Sequence, residues 1–143
     1  MRLALEEAGL AFLEGEVPVG AVLADMRGCI LSRAHNKRES LTDPTAHAEV
    51  IVLREGSGIS NTWRLHDAVL YVTKEPCVMC AGAMVNARLG RLVYGCSDPK
   101  GGAVKSLYTI LNDPRLNHQV EVVSGVLGDE CAAVLRAFFK VLR

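Results

Sequence analysis

Two short segments constrain this chain most strongly, because together they supply a set of metal ligands. The first is His47-Ala48-Glu49, and the second is Pro76-Cys77-Val78-Met79-Cys80, in which Cys77 follows His47 by 30 residues. One histidine and two cysteines offer the nitrogen and sulfur ligands that Zn²⁺ accepts, and three protein ligands are typical of a catalytic site that keeps its fourth position for water. Glu49 lies two residues after the histidine, where a carboxylate can handle the protons of that water. The two segments therefore predict a centre for metal-assisted hydrolysis.

The spacing of the two cysteines does not by itself decide between a metal site and a redox site. Thioredoxin-like proteins use the same C-x-x-C spacing, also at the start of a helix. The upstream His47-x-Glu49 favours the metal site, although Glu49 could instead be a solvated helix residue that makes a cap contact. Residues two apart point away from each other on a regular helix. His47 and Glu49 can therefore serve one cavity only if that cavity lies over the N-terminus of their helix.

Length and composition favour one domain, residues 1–143, which is long enough to bury a sizeable core. Half of the residues are hydrophobic (50%) and the mean hydropathy is +0.20, which suggests that a partner chain covers part of the surface, most simply in a homodimer. Sixteen basic residues balance sixteen acidic ones, so RNA binding would have to depend on a local basic patch. The sequence shows neither a secretory signal pattern nor a membrane-spanning apolar run, and we expect a cytoplasmic protein with no membrane partner.

Three of the five cysteines lie outside the metal-type spacing. Cys29, Cys96 and Cys131 occur on apolar stretches, and in a reducing compartment they are expected to be small buried hydrophobic side chains. The alternative is a fourth metal ligand or a redox role for one of them.

The hydrophobic pattern predicts helices and strands in alternation. Helices are predicted at residues 1–14, from 43–45 to 56, from 76 onward and at 129–142, with a short helical turn at 107–111. Strands are predicted at 17–24, 29–34, 68–73, 91–96 and 120–123, and the first two form a hairpin. Polar loops are predicted at 35–44, 57–67 and 97–106. About five strands that alternate with helices imply a sheet packed between helical layers.

The two ligand segments match the H-x-E…P-C-x-x-C signature of the zinc-dependent nucleobase deaminases. Beyond that signature, the chain resembles the bacterial tRNA-specific adenosine deaminases, a family of the zinc-dependent cytidine/deoxycytidylate deaminase superfamily, over nearly its whole length. The segments that support this resemblance are Glu16-Val17-Pro18-Val19-Gly20-Ala21, His35-Asn36, Asp43-Pro44-Thr45-Ala46, Leu70-Tyr71-Val72-Thr73, Ala81-Gly82-Ala83-Met84, Asp98-Pro99-Lys100 and Leu116-Asn117-His118.

The resemblance implies a fold, a reaction and a set of site residues. The fold would be a cytidine-deaminase-like three-layer α/β/α sandwich with an about five-stranded mixed sheet, assembled as a homodimer. The reaction would convert adenosine to inosine at the wobble position of a tRNA anticodon, by attack of a metal-activated hydroxide on C6 and loss of ammonia. One Zn²⁺ per subunit would be held by His47, Cys77 and Cys80, with Glu49 as the proton shuttle. Substrate contacts would come from Asn36, Val19, the Ala48 backbone, Pro76, Asp98, Lys100 and Asn117.

Three features depart from the family pattern. Lys74 stands where the family usually has an apolar residue, Val104-Lys105 replaces a smaller pair, and the chain ends at Arg143, whereas many relatives continue into a basic tail. Without that tail, phosphate contacts would depend on residues such as Lys105 and Arg143.

Two other functions remain open from the sequence. A deaminase of free guanine or cytosine would use the same zinc centre, and fold and motif do not separate it from an enzyme that acts on tRNA. A structural zinc module without catalysis would need a fourth protein ligand, for example Cys96. Asn36, Asp98, Lys100 and Asn117 could instead be ordinary turn or loop residues, and the pair Phe138-Phe139 could lie in the core or at the lip of the site.

Overall fold

The computed structural model describes residues 1–143 and contains five strands and five helices. In chain order the elements are α1 (Arg2–Leu13), β1 (Gly20–Asp25), β2 (Ile30–His35), α2 (Arg38–Leu41), α3 (Ala48–Ser60), β3 (Ala68–Lys74), α4 (Val78–Asn86), β4 (Arg91–Cys96), a 3₁₀ turn (Ile110–Asn112), β5 (Glu121–Val123) and α5 (Gly128–Val141). None of these helices is both long and apolar enough to cross a membrane.

The five strands form one mixed sheet in the order β2-β1-β3-β4-β5. Strand β1 pairs antiparallel with both β2 and β3, whereas the pairs β3–β4 and β4–β5 are parallel. Parallel neighbours require a crossover connection, and α4 supplies it between β3 and β4. The predicted hairpin and the mixed five-stranded sheet are therefore confirmed.

Helices cover both faces of the sheet. A core cluster of 21 buried residues joins alternate strand residues such as Leu23, Leu70 and Leu92 to the inner sides of α3 and α4. Helices α1 and α5 contribute no residue to that cluster; they meet each other through the edge-to-face rings of Phe12 and Phe138, 5.5 Å apart. These observations place α1 and α5 on the opposite face, which gives the expected α/β/α sandwich.

Some predicted boundaries are wrong for identifiable reasons. The segment 35–44 is not only a loop, because it contains the short helix α2. Gly56 does not end α3, which continues to Ser60 and stops at Asn61 in the left-handed conformation (φ 52°). Gly56 is needed for close packing instead, because a Cβ there would lie 2.3 Å from Cδ2 of Leu23 on the sheet.

The three remaining cysteines differ in exposure. Cys131 is buried as expected and Cys96 is half-buried, but Cys29 is exposed. The expectation for Cys29 is wrong because the residue lies just before β2, beside the hairpin turn, where Asp25 accepts its N–H.

Candidate active site

The first part of the site lies at the start of α3. His47 is the N-cap residue of this helix, in extended conformation, and Glu49 lies in its first turn with 4% of its surface exposed. The turn before it is fixed by Asp43, whose Oδ1 accepts hydrogen bonds from the backbone N–H and the hydroxyl of Thr45, both at 2.8 Å. One cavity is lined by His47, Ala48 and Glu49, so the predicted position over the helix N-terminus is confirmed.

The second part lies at the start of α4. Cys77 is the N-cap residue of this helix, and Cys80 is completely buried one turn further on. His47 Nδ1 lies 3.6 Å from Cys77 Sγ and 3.4 Å from Cys80 Sγ. The first turns of two separate helices thus bring the three predicted ligands together.

The three ligand atoms fit a four-coordinate metal ion. They all lie within 4.8 Å of one another. A tetrahedral ion with typical Zn–S and Zn–N bond lengths would separate a sulfur and a nitrogen ligand by about 3.6 Å, which agrees with both observed distances. No fourth histidine, cysteine or acidic residue belongs to the cluster. Cys96, the candidate fourth ligand of a structural module, instead contacts the carbonyl oxygen of Thr73.

The pKa values of the cluster follow from its close packing. Hydrogen bonds from Cys80 and His47 lower the pKa of the Cys77 thiol to about 3, against the effect of burial. The same contact with Cys77, together with burial, raises the pKa of Cys80. The pKa of His47 is raised by its hydrogen bond to Cys77. Burial raises the pKa of the Glu49 carboxyl above its usual range.

The cavity beside the cluster contains most of the predicted pocket residues. Val19, Asn36, Ala48 and Cys77 line it together with His47 and Glu49. Pro76 is buried directly before Cys77, and its carbonyl oxygen accepts the N–H of Ala103. Four further residues of the cavity wall had no predicted role in the site, namely Val17, Arg38, Lys74 and Glu75. Phe139, which was expected either in the core or at the lip, also lines the cavity.

Asn36 is held rigidly at the edge of this cavity. It is 6% exposed, its backbone N–H donates to the Val19 carbonyl oxygen at 3.0 Å, and its Nδ2 donates to Glu16 at 3.3 Å. Its Oδ1 is the only buried side-chain oxygen or nitrogen in the structure without a hydrogen-bond partner. An unpaired buried acceptor is costly, and it is available to a ligand that donates a hydrogen bond.

Asp98 and Lys100 lie beside the cavity but do not line it. They border a neighbouring groove that shares Lys74 and Phe139 with the cavity, and the Lys74 ammonium pairs with Asp98 at 2.7 Å. The groove also contains the basic side chains of Arg136, Lys140 and Arg143. Asn117 is exposed and lines neither the cavity nor the groove, so the structure does not bring it to the other predicted residues.

Phe138 and Phe139 divide between the two expected positions. Phe138 is 6% exposed and belongs to the contact between α1 and α5, whereas Phe139 is 46% exposed and lies between the cavity and the groove. The first is therefore a core residue and the second forms part of the lip.

Glu75 is a structural determinant of the site that sequence reasoning missed. It is 2% exposed and accepts backbone N–H groups from the loop after β4: Asp98 at 2.9 Å, Val104 at 3.2 Å, Lys105 at 2.7 Å and Ser106 at 2.9 Å. Burial opposes ionisation, but the hydrogen bonds lower the pKa of Glu75 to about 2. Its only sequence signal is its place two residues before Cys77.

Comparisons with known proteins agree with this fold and site. The family model of MafB19-like deaminases matches residues 1–143. The tRNA-specific adenosine deaminase of Bacillus subtilis (strain 168) is 52% identical over 143 residues, which cover 100% of this chain and 88% of that protein. A solved structure from work on A-to-I editing by tRNA:A34 deaminases at the wobble position has a TM-score of 0.90 and 46% identity, covering 94% of this chain and 97% of that one. Guanine deaminase from Nitrosomonas europaea has a TM-score of 0.81 at 22% identity, covering 94% of this chain and 80% of that one, which shows the fold alone.

A three-layer sandwich in which two helix starts bring one histidine and two cysteines together, beside a cavity that a buried glutamate lines, defines the metal-dependent deaminases of nucleobases. The chain belongs to the MafB19-like deaminase family and groups with the tRNA-specific adenosine deaminases. The family and the fold class predicted from the sequence are both confirmed.

Proposed function

We propose that this protein hydrolyses adenosine to inosine and ammonia at the wobble position of a tRNA anticodon, with one Zn²⁺ per subunit. The observation that carries the proposal is the cluster of His47, Cys77 and Cys80, with nitrogen-to-sulfur distances of 3.4 and 3.6 Å, beside the buried Glu49. The substrate follows from the relatives, since a protein 52% identical to this chain is a tRNA-specific adenosine deaminase.

His47 Nδ1 and the sulfur atoms of Cys77 and Cys80 would hold the ion. When bound, zinc lowers the pKa of a water molecule and so supplies a nucleophile near neutral pH. Glu49 takes a proton from the attacking water and returns one to the amino group that leaves C6. Its burial and raised pKa suit this role, because a shuttle works best when both protonation states are accessible.

The residues around the cavity position the base. Val19, the Ala48 backbone and Pro76 shape the pocket, and Asn36 Oδ1 accepts a hydrogen bond from the substrate. Phe139 lies at the lip, where an aromatic ring can contact an extruded nucleotide. An anticodon base is already in a loop, so moving it into a pocket costs less than opening a duplex.

A local basic surface supports RNA binding in a chain of zero net charge. Four cations, Lys100, Arg136, Lys140 and Arg143, surround the groove beside the cavity, and Lys74 stands between the two. We assign this groove to the anticodon stem-loop, with Asp98 and Lys100 in contact with the nucleotides next to the wobble base. Asn117 would contact the RNA further out.

Assembly and location are parts of the same proposal. Residues 1–143 act as a single deaminase domain around one sheet, in the cytoplasm where tRNA is used. The protein forms a homodimer, and exposed apolar side chains such as Val78 (51%), Leu107 (53%) and Tyr108 (57%) are available for burial in it. No membrane partner is involved.

The test is a mass-spectrometric deamination assay on zinc-loaded protein. An anticodon stem-loop with a wobble adenosine is offered beside free guanine, cytosine and adenosine, and Glu49→Gln serves as the matched control because it keeps the size of the side chain. Inosine is expected only in the stem-loop and only with the unaltered protein. Conversion of a free base, with the stem-loop unchanged, would show that the substrate is a free nucleobase and not tRNA. If nothing is converted, a structural zinc module becomes the better explanation.

A further inference from the structure

A further buried carboxylate, that of Glu16, contacts the Asn36 side chain. Glu16 is 1% exposed and stands in the loop between α1 and β1. One of its oxygens accepts Asn36 Nδ2 at 3.3 Å and the backbone N–H of Glu39 at 3.2 Å, and the other accepts the backbone N–H of Ser40 at 2.8 Å. It lines neither the cavity nor the groove, and no cation pairs with it.

The chemistry of this contact fixes the orientation of the Asn36 amide. An ionised carboxylate accepts hydrogen bonds and cannot donate them, so the group that faces Glu16 must be the NH₂ of Asn36. The oxygen Oδ1 is then forced to the other side, and it is the buried oxygen that has no partner in the protein. Burial of Glu16 opposes its ionisation, but the N–H groups of Ser40 and Glu39 lower its pKa and keep it a pure acceptor.

We propose that Glu16 is a positioning residue that sets the hydrogen-bonding polarity of the pocket: by binding the NH₂ of Asn36, it makes Asn36 present an acceptor to the substrate. The site therefore selects a nucleoside that offers a donor at this point, either the amino group of the base or a hydroxyl of the ribose. This inference rests on the proposed deaminase function and extends it to a residue that does not touch the substrate.

The test uses two substitutions that exchange the donor and the acceptor of the pair. Asn36→Asp places two carboxylates face to face, and neither can donate, so the pair is satisfied only when they share a proton. Adding Glu16→Gln supplies an N–H to the carboxylate at position 36, and its remaining oxygen can still accept the N–H of Ser40. The N–H of Glu39, which shares the replaced oxygen with Asn36, then loses its acceptor. Glu16→Gln alone completes the cycle, and it is expected to be intermediate because one orientation of its amide still accepts from Asn36.

The expected result is a rescue. With the stem-loop at pH 8, Asn36→Asp is expected to lower kcat/KM by roughly 100-fold, which corresponds to the cost of leaving a buried polar group unpaired. The double variant is expected to return to within roughly 10-fold of the original protein. The kcat/KM of Asn36→Asp, divided by that of the original protein, rises as the pH falls, because protonation of one carboxylate restores a donor between positions 16 and 36. If Glu16 only anchors α2, the double variant is worse than Asn36→Asp, and that result overturns the proposal.

A stem-loop with 2′-deoxyadenosine at the wobble position identifies the donor on the substrate. If the ribose hydroxyl donates to Asn36, the loss caused by Asn36→Asp shrinks on this substrate. If the amino group donates, the loss stays the same. Both results agree with an acceptor at Asn36, and they differ only in which group of the substrate donates the hydrogen bond.

Thermal unfolding separates this inference from the proposed function. If the unaltered protein does not deaminate the stem-loop, the function is wrong, but the pairing of positions 16 and 36 can still be measured. Asn36→Asp is expected to lower the Tm at pH 8, or to prevent folding, and the added Glu16→Gln to restore it. A double variant that is no more stable than Asn36→Asp would refute the pairing as well.

Discussion

Glu75 gives the sharpest test of how the loop beside the active site is held. Its carboxylate accepts four backbone N–H groups and the Ser106 hydroxyl, and these bonds lower its pKa from 4.5 to about 2. A difference of this size corresponds to about 3 kcal/mol between the ionised and the protonated carboxyl. The substitution Glu75→Gln resembles the protonated state, because the amide keeps one acceptor and replaces the other by a donor. We therefore expect a loss of about 3 kcal/mol at pH 7, or a fall in Tm of about 10 °C.

The sign of the pH dependence follows from the lowered pKa. Because the folded-state pKa lies below the unfolded one, the stabilisation by Glu75 is complete above the unfolded value of 4.5 and is lost as the pH falls toward about 2. The stability difference between the original protein and Glu75→Gln should therefore be constant at neutral pH. It should shrink steadily through that acidic window.

The assay is urea denaturation followed by circular dichroism at a series of pH values. Glu121→Gln is the matched control, since Glu121 is an exposed carboxylate paired with Arg91 at 2.9 Å, and its loss should cost at most about 0.5 kcal/mol. Equal stability of Glu75→Gln and the original protein at pH 7 would refute the argument. So would a difference between them that does not change down to pH about 2.

Three further predictions follow from the same region of the structure. Gly102→Ala places a Cβ 2.3 Å from the Glu75 carboxyl carbon, so it should lower the Tm and weaken stem-loop binding while leaving metal content unchanged, as measured by calorimetry and elemental analysis. Arg136→Ala combined with Lys140→Ala should weaken stem-loop binding, as measured by fluorescence anisotropy. The slope of log K against log[salt] should become smaller by roughly 0.7 for each phosphate that the protein no longer neutralises. An unchanged slope would exclude the groove as the RNA site. Removing the metal with a chelator should abolish deamination, and Zn²⁺ should restore it at one ion per chain; activity that survives chelation would contradict the assigned role of His47.

The ligands were predictable from sequence because their constraints are local. Two cysteines three apart at a helix start lie on one face, and the histidine needs only a second helix start beside the first. The contact between α3 and α4 provides that neighbour. The regular alternation of apolar segments likewise predicted the sheet and its covering helices.

Glu16 and Glu75 could not be predicted as buried, because their partners are distant along the chain. Glu16 accepts N–H groups from residues 23 and 24 positions later, and Glu75 from residues 23 to 31 positions later. A single acidic residue is usually exposed, and no local pattern marks one that loops will surround. Gly56 was misjudged for a similar reason, since the neighbour that requires a glycine, Leu23, lies on another element.

The buried carboxylates of Glu16 and Glu75 are held in a similar way. Each is satisfied mainly by backbone N–H groups instead of a cation, so each fixes the path of a loop, and Glu16 also binds the Asn36 amide. Glu16 holds α2 and Asn36, and Glu75 holds the loop that bears Asp98 and Lys100. The negative charges lie beneath the surface, while Lys74, Arg136 and Lys140 stay at the rim. A chain of zero net charge can thus present a locally positive entrance to RNA, and its binding should depend on salt although its overall charge does not predict this.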